Sequence, residues 1–585
     1  MPDTDPFADY KRVPETAPTE TKRWHLYGAG LENVGKDGRP ETVTLPEPGP
    51  HEILVRHDAV GICYSDIKIV NLGADHPRLV GRDLVKEPVV MGHEVALTVV
   101  KAGASVSDKF HVGERFIVQA DVYYKGKNLA YGYALSGGMA QYGIVGPEVL
   151  EGDEGCYLLP IEDETGYAEA ALVEPWACVE AAYHWTEPQR NESGFSIWHA
   201  HYEHLSKNEP AKDDSDLTTE EWQKVFAQGG NVLGICTDAF FVDLDSELLP
   251  AIFGRVFDGA MMGADEVQVP YPPDATGTYR YAAFYGTPTP ECFEAVCGQL
   301  QKGSIVQLNF REPKSEVVQA MSRPVQVDVG RVHYDGWVFI GPERNGRNDL
   351  RPGGISWFIG AAGPMGQMHV QRALQLPNPP AKIVCTDRND NRLAALQSRL
   401  GGLAQERGVE MVYRNIRTTA PDHAAFAPDG YDDIVVMVPS IEAIEDGFPR
   451  LARNGVMNVF AGVARGTMAT LDMSDIALKN VRIVGTSGSS IEDMRRTRDL
   501  MEADKLDTGG SLAAIGGLEA FRDGLDAVKG GRFPGKTVIF PQIENLPLTA
   551  IPDLQTVRPN VYAKLKNGQF WTQEAEAELL KEAVH

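Results

Sequence analysis

The feature that most constrains the fold of this chain is an apolar segment that leads into a glycine-rich turn. Residues 355–359 read Ile-Ser-Trp-Phe-Ile, and Gly360, Gly363 and Gly366 follow. A buried strand, a glycine turn and a helix in this order form one unit of a parallel α/β sheet. Buried strands and amphipathic helices continue to alternate from residue 350 to about residue 541. We therefore expect an α/β fold with a doubly wound parallel sheet in this part.

The same turn is suited to a dinucleotide, because small residues let the backbone approach a pyrophosphate at the positive end of the following helix. A second strand, residues 382–387, ends in Asp387, and an acidic residue about 20 positions after the turn can accept hydrogen bonds from an adenosine ribose. Asp387 also opposes the 2′-phosphate of NADP, whereas Arg388 would partly offset that repulsion. We expect NAD, with NADP as the alternative. The predicted cofactor-binding residues are Gly360, Ala362, Gly363, Pro364, Met365, Gly366, Asp387, Arg388, Arg392, Ala461 and Thr486.

Residue types that bind zinc occur in order near the N-terminus: Cys63, then His93 with Glu94, and then Glu174. A catalytic zinc takes three protein ligands of these types and keeps a fourth position for water or substrate. Taken singly, each residue has an ordinary explanation, since a lone buried cysteine is usually a small hydrophobic residue. The ordered set, together with the dinucleotide signal downstream, indicates one catalytic zinc site.

Changes of pattern divide the chain into six predicted parts. Between about residues 24 and 145, short β-type runs separated by Gly and Pro turns indicate a compact β domain. The first 22 residues are rich in Pro, Thr, Glu and Asp and offer little apolar surface to bury. The predicted parts are a mobile N-terminal arm (1–22), a catalytic β domain with the zinc site (23–186), an inserted α/β subdomain (187–349), a nucleotide-binding domain (350–490), a return to the catalytic domain (491–545) and a C-terminal helical tail (546–585).

Composition excludes several classes of function. The net charge of −27 at pH 7 would repel a phosphate backbone, so we expect no nucleic-acid partner. No apolar run reaches the roughly 18 residues of a membrane-spanning helix, and the N-terminus is acidic where a secretory signal is basic. The seven cysteines are scattered and odd in number, which argues against a disulfide framework. We expect a cytoplasmic protein with a small-molecule substrate and no membrane partner.

These motifs, taken in order, resemble those of the zinc-dependent medium-chain dehydrogenases, the group that includes alcohol, sorbitol and threonine dehydrogenases. Within that family, residues 458–462 and 484–488 are most similar to the L-sorbose-1-phosphate reductase branch. The resemblance covers about residues 24–185 and 350–541. It implies a GroES-like β domain that carries the zinc, a Rossmann domain that binds NAD, and a homo-oligomer that is either a dimer or a tetramer.

The resemblance also implies roles for the candidate zinc residues. Cys63 and His93 would be zinc ligands, and Glu174 would be the third. Glu94 would be either a ligand or an exchanging neighbour. No four-cysteine lobe occurs between Gln119 and Tyr142, so we expect no structural zinc beside the catalytic one.

Hydride transfer is the reaction that the resemblance implies. Zinc would act as a Lewis acid on the substrate oxygen, and hydride would pass between NAD(H) and a secondary alcohol or its ketone. Ser65 would relay the proton, and Asp66 would orient the ligands from behind, which makes Ser65, Asp66 and Glu94 the predicted catalytic residues. A glutamate stands where other branches have a second cysteine, so we expect a polyol, a sugar or a sugar phosphate as substrate.

Two alternative functions remain open at this point. The glycine turn has the form Gly-x-x-Gly-x-x-Gly, which is closer to the quinone reductase branch and raises a zinc-independent NAD(P)H oxidoreductase. Such enzymes lack the cysteine and histidine that this chain retains. The second alternative is a non-catalytic scaffold that binds NAD and uses the insertion for assembly.

The insertion contains an apparent echo of the nucleotide-binding domain. Residues 282–308 follow the same strand–helix–strand pattern as residues 434–460, and residues 336–341 parallel residues 481–485. The insertion is therefore either a degenerate second Rossmann-like unit or a generic α/β insert with similar patterning. It has no glycine phosphate turn, so we expect no second nucleotide site, and we expect it to border the active-site cleft. Its histidine cluster at residues 199–204 is not predicted to bind a metal.

Overall fold

The computed structural model describes residues 7–79, 81–184, 239–243, 279–285, 290–298, 300–309, 324–341, 347 and 349–583. The histidine cluster at residues 199–204 lies outside these residues. In the described part of the chain, no helix combines the length and the hydrophobicity that crossing a membrane requires.

The N-terminal part consists mostly of short strands. Its elements are β1 (Glu20–Arg23), β2 (Glu41–Thr44), β3 (Ile53–Ile62), α1 (Tyr64–Leu72), β4 (Glu94–Ala102), β5 (Arg115–Val118), β6 (Tyr123–Tyr124), β7 (Lys127–Asn128), β8 (Tyr142–Val145), α2 (Pro147–Leu150), β9 (Leu158–Pro160), α3 (Tyr167–Ala171) and α4 (Val173–Ala181). The described elements of the insertion are β10 (Ala239–Asp243), β11 (Tyr279–Tyr285), α5 (Pro290–Gly298), β12 (Leu300–Asn309), β13 (Val325–Asp328), α6 (Val329–Asp335) and β14 (Val338–Ile340).

Strands and helices alternate in the part that follows the insertion. The elements up to the point where the chain returns to the catalytic domain are β15 (Ile355–Ile359), α7 (Pro364–Gln375), β16 (Lys382–Asp387), α8 (Asp390–Glu406), β17 (Glu410–Asn415), α9 (His423–Phe426), β18 (Tyr431–Val436), α10 (Ile441–Gly447), β19 (Leu451–Val459), β20 (Met468–Leu471), α11 (Ser474–Leu478) and β21 (Arg482–Val484). The remaining elements are α12 (Ile491–Glu502), β22 (Leu512–Gly517), α13 (Phe521–Gly530), β23 (Lys536–Phe540), β24 (Thr549–Ala550), α14 (Leu554–Val557), α15 (Pro559–Tyr562) and α16 (Gln573–Leu580). Short 3₁₀ helices cover Leu31–Asn33, Gly73–Asp75, Phe448–Arg450, Gly509–Ser511, Leu518–Ala520, Ile551–Asp553 and Lys581–Ala583.

The larger sheet has ten strands, and six of them form a Rossmann domain. These six lie in the order β17-β16-β15-β18-β19-β21, and all neighbouring pairs are parallel. This is the doubly wound order in which the first strand lies at the centre. β15 and β18 are almost fully buried, as expected of central parallel strands that helices cover on both faces. The prediction of a doubly wound parallel sheet is confirmed.

The second sheet builds the GroES-like catalytic domain. Its strands lie in the order β24-β22-β23-β3-β4-β5-β9, and β8 also pairs with β3. β22 and β23 come from the C-terminal part of the chain, and β23 pairs antiparallel with β3. The domain therefore closes only when a segment far along the sequence returns to it.

The first residues that the structure describes do not form the mobile arm predicted from composition. Phe7 and Tyr10 are only 1% and 5% exposed. Both rings pack edge-on against Tyr167, and the Tyr10 hydroxyl donates a hydrogen bond to Asp58 at 2.9 Å. Two buried aromatic side chains are enough to anchor a segment whose other residues are polar.

The C-terminal segment, predicted as a helical tail (546–585), also contributes a strand and buried side chains to the catalytic domain. β24 pairs with β22 of the catalytic sheet. The Glu576 carboxylate on α16 accepts hydrogen bonds from the backbone amides of Tyr167 and Ala168, and Leu579 and Leu580 are buried. The segment therefore belongs to the catalytic domain. It extends the catalytic sheet, buries apolar side chains and provides hydrogen-bond acceptors for the N-terminal amides of α3.

The described part of the insertion does not form a separate sheet, as an independent subdomain would. Its strand β14 pairs antiparallel with β21, so β10, β11, β12 and β14 continue the Rossmann sheet. A sheet that ended at β21 would expose a row of unpaired backbone groups. The insertion covers that edge.

Candidate active site

The candidate metal centre forms where β3 ends and β4 begins. Cys63 directly follows β3 and precedes α1, and the turn at Gly92, with a φ of 94°, leads into His93 and Glu94. The ligand atoms of Cys63, His93 and Glu94 all lie within 4.8 Å of one another. Gly61 is directly opposite Glu94 across the two strands. A Cβ at Gly61 would lie 2.0 Å from a Glu94 carboxylate oxygen, so this close approach requires glycine.

Two predicted catalytic residues hold the histidine of this cluster. The Ser65 hydroxyl lies 3.2 Å from His93 Nε2, and His93 Nδ1 lies 3.4 Å from an Asp66 carboxylate oxygen. The other Asp66 oxygen accepts a hydrogen bond from the Cys63 amide at 2.9 Å. Burial by itself lowers the pKa of His93, but the charge of Asp66 and other neighbours outweigh it and raise the pKa well above its usual value. Asp66 therefore lies against both the His93 ring and the Cys63 backbone.

The donor set suits zinc. A thiol, an imidazole and a carboxylate are ligand types that zinc accepts. Among the described residues, Glu94 Oε2 finds no hydrogen-bond partner although it is buried. A buried carboxylate oxygen without a partner is costly, and a cation bound at this cluster would satisfy it.

Lys536 is the residue of this site that the sequence analysis misses. Its ammonium group lies 2.5 Å from Glu94 Oε1, and both side chains are at most 5% exposed. It also donates a hydrogen bond to the Ile62 carbonyl at 3.3 Å. Burial alone would lower the pKa of Lys536, but Glu94 raises it above its usual value. The sequence offers only a lysine at the start of an apolar strand, and it reaches the site because β23 pairs with β3.

Glu174, which the sequence favours as the third ligand, is a described residue outside the cluster of three. It lies in the first turn of α4 and is buried. Burial raises the pKa of Glu174, and the charge of Glu94 raises it further, although His93 opposes both effects. Glu174 is therefore close enough to interact electrostatically with the candidate metal centre, but the cluster of three potential ligands contains Glu94 instead.

An aromatic and charged wall borders the metal centre. The Tyr133 ring lies 5.7 Å from the His93 ring, and the Arg78 guanidinium lies 4.9 Å above the centre of the Tyr133 ring. Arg78 also forms an ion pair with Asp121 at 2.7 Å. No sequence motif marks these residues, which come together only through packing.

The glycine turn has the geometry that a pyrophosphate site needs. Gly360 has a φ of 82°, and Gly363 caps the N-terminus of α7. A Cβ at Gly366 would lie 2.4 Å from the Gly360 carbonyl oxygen, so this glycine lets α7 pack against the strand. A Cβ at Gly363 would meet nothing closer than 3.7 Å. The space beside Gly363 at the start of the helix is therefore free for a ligand.

The acidic residue at the end of β16 reaches the same turn. One Asp387 oxygen accepts a hydrogen bond from the Ala362 amide at 3.3 Å, and the other accepts from the Arg388 amide at 2.7 Å. Arg388 is exposed. Arg392 instead donates to the Gly531 carbonyl at 3.2 Å, so its guanidinium faces α13.

A cavity of about 690 Å³ lies at the carboxyl ends of β16, β18 and β19, where open α/β sheets bind their ligands. Two predicted cofactor residues follow strands at the same edge of the sheet. Ala461 follows β19 and donates its amide to the Val436 carbonyl at 2.9 Å, and Thr486 follows β21. Pro364 and Met365 form the first turn of α7. The residues that line the cavity are Arg388, Pro439, Ser440, Ile441, Glu442, Gly462, Val463, Ala464 and Thr467.

Two family models match this chain, one in each domain. Residues 49–152 match the alcohol dehydrogenase GroES-like domain, and residues 364–503 match the zinc-binding dehydrogenase domain. The chain belongs to the zinc-dependent medium-chain dehydrogenase/reductase family. It is an oxidoreductase of the alcohol dehydrogenase type. Membership of this family supports NAD(P) and zinc as cofactors.

Relatives of this family member include enzymes of polyol and sugar-phosphate chemistry. Mannitol-1-phosphate 5-dehydrogenase of Aliivibrio fischeri is 23% identical over 565 residues, covering 93% of this chain and 95% of the relative. L-sorbose 1-phosphate reductase of Klebsiella pneumoniae is 24% identical over 574 residues, covering 96% of this chain and 98% of the relative. Human sorbitol dehydrogenase is 32% identical over 155 residues, covering 24% of this chain and 39% of the relative.

Proposed function

We propose that this enzyme transfers a hydride between NAD(H) and a secondary alcohol or ketone of a polyol, a sugar or a sugar phosphate, with one zinc ion at the active site. The observation that carries the proposal is the cluster of Cys63, His93 and Glu94. It lies in a domain that is joined to a Rossmann sheet with an open glycine turn. This arrangement supports a metal and a nicotinamide cofactor bound by one molecule.

Cys63, His93 and the free oxygen of Glu94 would hold the zinc. When bound, zinc supplies Lewis-acid chemistry to the substrate oxygen. Asp66 keeps the His93 ring oriented through its contact with Nδ1. The half-buried Ser65 hydroxyl lies next to His93 Nε2, where it can accept the proton of a substrate hydroxyl and pass it towards solvent. Glu174 is an alternative or exchanging ligand.

The substrate class rests on two observations. A glutamate, Glu174, stands where other branches of the family have a second cysteine, and this is typical of the polyol-oxidising branches. Both full-length relatives described above are named for phosphorylated polyols or sugars. We propose NAD as the preferred cofactor because Asp387, at the end of β16, contacts the glycine turn, where a carboxylate can accept hydrogen bonds from an adenosine ribose. We further propose a cytoplasmic homo-oligomer, either a dimer or a tetramer.

The test combines metal analysis with turnover. Wild-type enzyme, Cys63→Ser and Cys156→Ser are purified, their bound zinc is measured, and NAD(H) absorbance is followed with polyols, sugars and their phosphates. Cys156 lies in the same domain but outside the cluster, so its variant is the matched control. We expect about one zinc per chain in the wild type and the control, and loss of both zinc and turnover in Cys63→Ser. NADH binding, followed by fluorescence, should persist in all three proteins.

A second pair of variants distinguishes the two carboxylates. Glu94→Gln should lose most of its zinc, whereas Glu174→Gln should retain it, because only Glu94 lies within the cluster. A wild-type enzyme that reduces quinones without bound metal would overturn the proposal and favour the zinc-independent alternative.

A further inference from the structure

The ten-stranded sheet has the same strand order on both sides of its centre. Outwards from β14 the order is β14-β12-β11-β10, and outwards from β21 it is β21-β19-β18-β15. Neighbouring strands on each side are parallel. The two sides meet in one antiparallel pair, in which Phe339 lies opposite Ile483. The strands β10, β11, β12 and β14 therefore correspond to β15, β18, β19 and β21.

The register of the corresponding strands agrees as well. Residues 305–307 on β12 pair with residues 338–340 on β14. On the other side, residues 456–458 on β19 pair with residues 482–484 on β21. Both sets consist of three consecutive pairs that cover the whole of the inner strand, β14 on one side and β21 on the other. A shared strand order alone would not require a shared register.

Irregular features also recur at corresponding positions. The β11–β12 and β18–β19 pairs each contain a register shift near their start. The left-handed residue within the shift is Gly303 on one side, with φ 77°, and Asn454 on the other, with φ 62°. A second left-handed residue precedes each central strand, namely Gly336 with φ 63° and Asn480 with φ 53°. A generic α/β insert has no physical reason to repeat these irregularities.

The contacts across the centre are reciprocal. A Cβ at Gly341, after β14, would lie 2.3 Å from the Ile476 carbonyl oxygen on α11. A Cβ at Gly485, after β21, would lie 2.7 Å from the Val332 carbonyl oxygen on α6. Correspondingly, α11 packs on β12 and β14, and α6 packs on β19 and β21. Such exchange of equivalent contacts defines an isologous interface with a two-fold axis.

We propose that the insertion is a partial second copy of the Rossmann domain that acts as a built-in partner. It occupies, within one chain, the β21 edge that would otherwise remain open. The pairing of β14 with β21 is antiparallel, and the two strands are equivalent. If β14 were absent, the open edge of β21 would therefore fit β21 of a second copy of this chain. Any homo-oligomer of the enzyme then uses another surface.

The built-in partner also contacts the cofactor cavity. Through α6 it holds the loop of residues 461–467, several of which line the cavity. Asp328 accepts a hydrogen bond from the Gly466 amide at 2.9 Å, and Asp335 forms an ion pair with Arg465 at 2.9 Å. The loop that follows β19 is therefore held by the second copy as well as by the first, in which the Ala461 amide donates to the Val436 carbonyl.

The test uses the antiparallel strands β13 and β20, which also lie across the centre. Gln326 is directly opposite Thr470, and the two side chains share a surface hydrogen bond of 3.0 Å. Directly opposite Cβ atoms are about 4.5–5.5 Å apart, which a disulfide can span with a small adjustment. The full-length double variant Gln326→Cys/Thr470→Cys is oxidised as a mixture of ¹⁴N- and ¹⁵N-labelled chains, with the two single variants as controls.

We expect the new disulfide to join peptides of a single label, which shows pairing within one chain. Peptides of mixed label, or a folded double variant that forms no disulfide, would overturn the proposal. The wild-type enzyme provides a second measurement by hydrogen exchange at decreasing protein concentration. The amides of residues 482–484 should keep their protection on dilution. Protection that falls with dilution would mean that association between chains covers the edge, and the proposal would fail.

Discussion

The metal centre and the glycine turn are built in opposite ways. The metal centre gathers buried charged groups from distant parts of the chain, since Glu94 at the start of β4 pairs with Lys536 at the start of β23. The glycine turn lies within a single strand–turn–helix segment and relies on its backbone and on missing side chains. One site depends on charge compensation, and the other depends on space.

This difference predicts how each site fails. Removing one partner of a buried ion pair leaves an uncompensated charge, which costs free energy throughout the domain. Adding atoms to the glycine turn lowers the stability of the fold only where the surrounding backbone leaves no room for them. Substitutions in the metal centre should therefore affect stability together with function, whereas some substitutions in the turn should affect cofactor binding alone.

The largest effect is expected for Lys536→Met. The variant leaves Glu94 buried without its counter-ion, and losing one partner of a buried pair costs about 3–5 kcal/mol. Urea unfolding should show this loss in the free energy of unfolding. The matched control is Lys22→Met, because Lys22 lies 2.5 Å from Glu544 in a pair whose side chains are 36% and 57% exposed. That exposed pair should contribute about 0–1 kcal/mol, and equal losses in the two variants would contradict the comparison.

The glycine turn is tested by two alanine substitutions. Gly366→Ala places a Cβ 2.4 Å from the Gly360 carbonyl oxygen, and overpacking of this kind costs about 1–3 kcal/mol. Gly363→Ala meets no protein atom closer than 3.7 Å, so its melting temperature should match that of the wild type. Its affinity for NADH should nevertheless fall, by roughly tenfold for each 1.4 kcal/mol of lost contact. Unchanged NADH titrations for Gly363→Ala would mean that the pyrophosphate does not lie beside Gly363.

A pH-dependent effect is expected where the catalytic and cofactor domains meet. Glu180 on α4 accepts two hydrogen bonds from Arg372 on α7, at 2.7 and 3.0 Å. Burial alone would raise the pKa of Glu180, but the charge of Arg372 lowers it from 4.5 to about 2. The pKa is lower in the folded state than in the unfolded state, so the resulting stabilisation is present above about pH 4.5 and is lost as the pH falls towards 2.

The complete loss, reached near pH 2, is on the order of 3 kcal/mol, and about 1.4 kcal/mol of it is lost by pH 3.5. Melting temperatures measured from pH 6 to pH 3.5 should therefore fall more steeply for the wild type than for Glu180→Gln. Parallel curves for the two proteins would show that the Glu180–Arg372 pair does not contribute to acid unfolding.

An effect confined to cofactor choice, with no loss of stability, is expected for Asp387→Asn. The substitution keeps the shape of the side chain but removes the charge that favours ribose hydroxyls over a 2′-phosphate. Charge-assisted hydrogen bonds contribute about 1.5–3 kcal/mol. The ratio of kcat/KM for NAD to that for NADP should fall by roughly 10- to 100-fold. The matched control is Asp390→Asn, at the exposed start of α8, which should leave this ratio unchanged. An unchanged ratio for Asp387→Asn would mean that Asp387 does not determine the choice between NAD and NADP.

Much of the fold was predictable because its signals are local. The glycines at 360, 363 and 366 and the alternation of strands and helices predict the Rossmann sheet, since each βα unit depends on neighbouring residues. Cys63 and His93 could also be identified as candidate ligands, because their residue types and their order along the chain are those of a catalytic zinc site. The mobile arm was predicted wrongly, because average composition concealed the anchoring effect of Phe7 and Tyr10.

By itself, the sequence determined the family, the glycine turn and the chain order of the candidate zinc residues. These features depend on residue type and on short spacing, which remain readable without a structure. Only the tertiary structure decided that Glu94, rather than Glu174, lies in the ligand cluster, that Lys536 compensates it, and that β14 covers the β21 edge. Each of these outcomes depends on pairing between strands far apart in sequence, where the free energy of a contact depends on the whole sheet and not on local pattern.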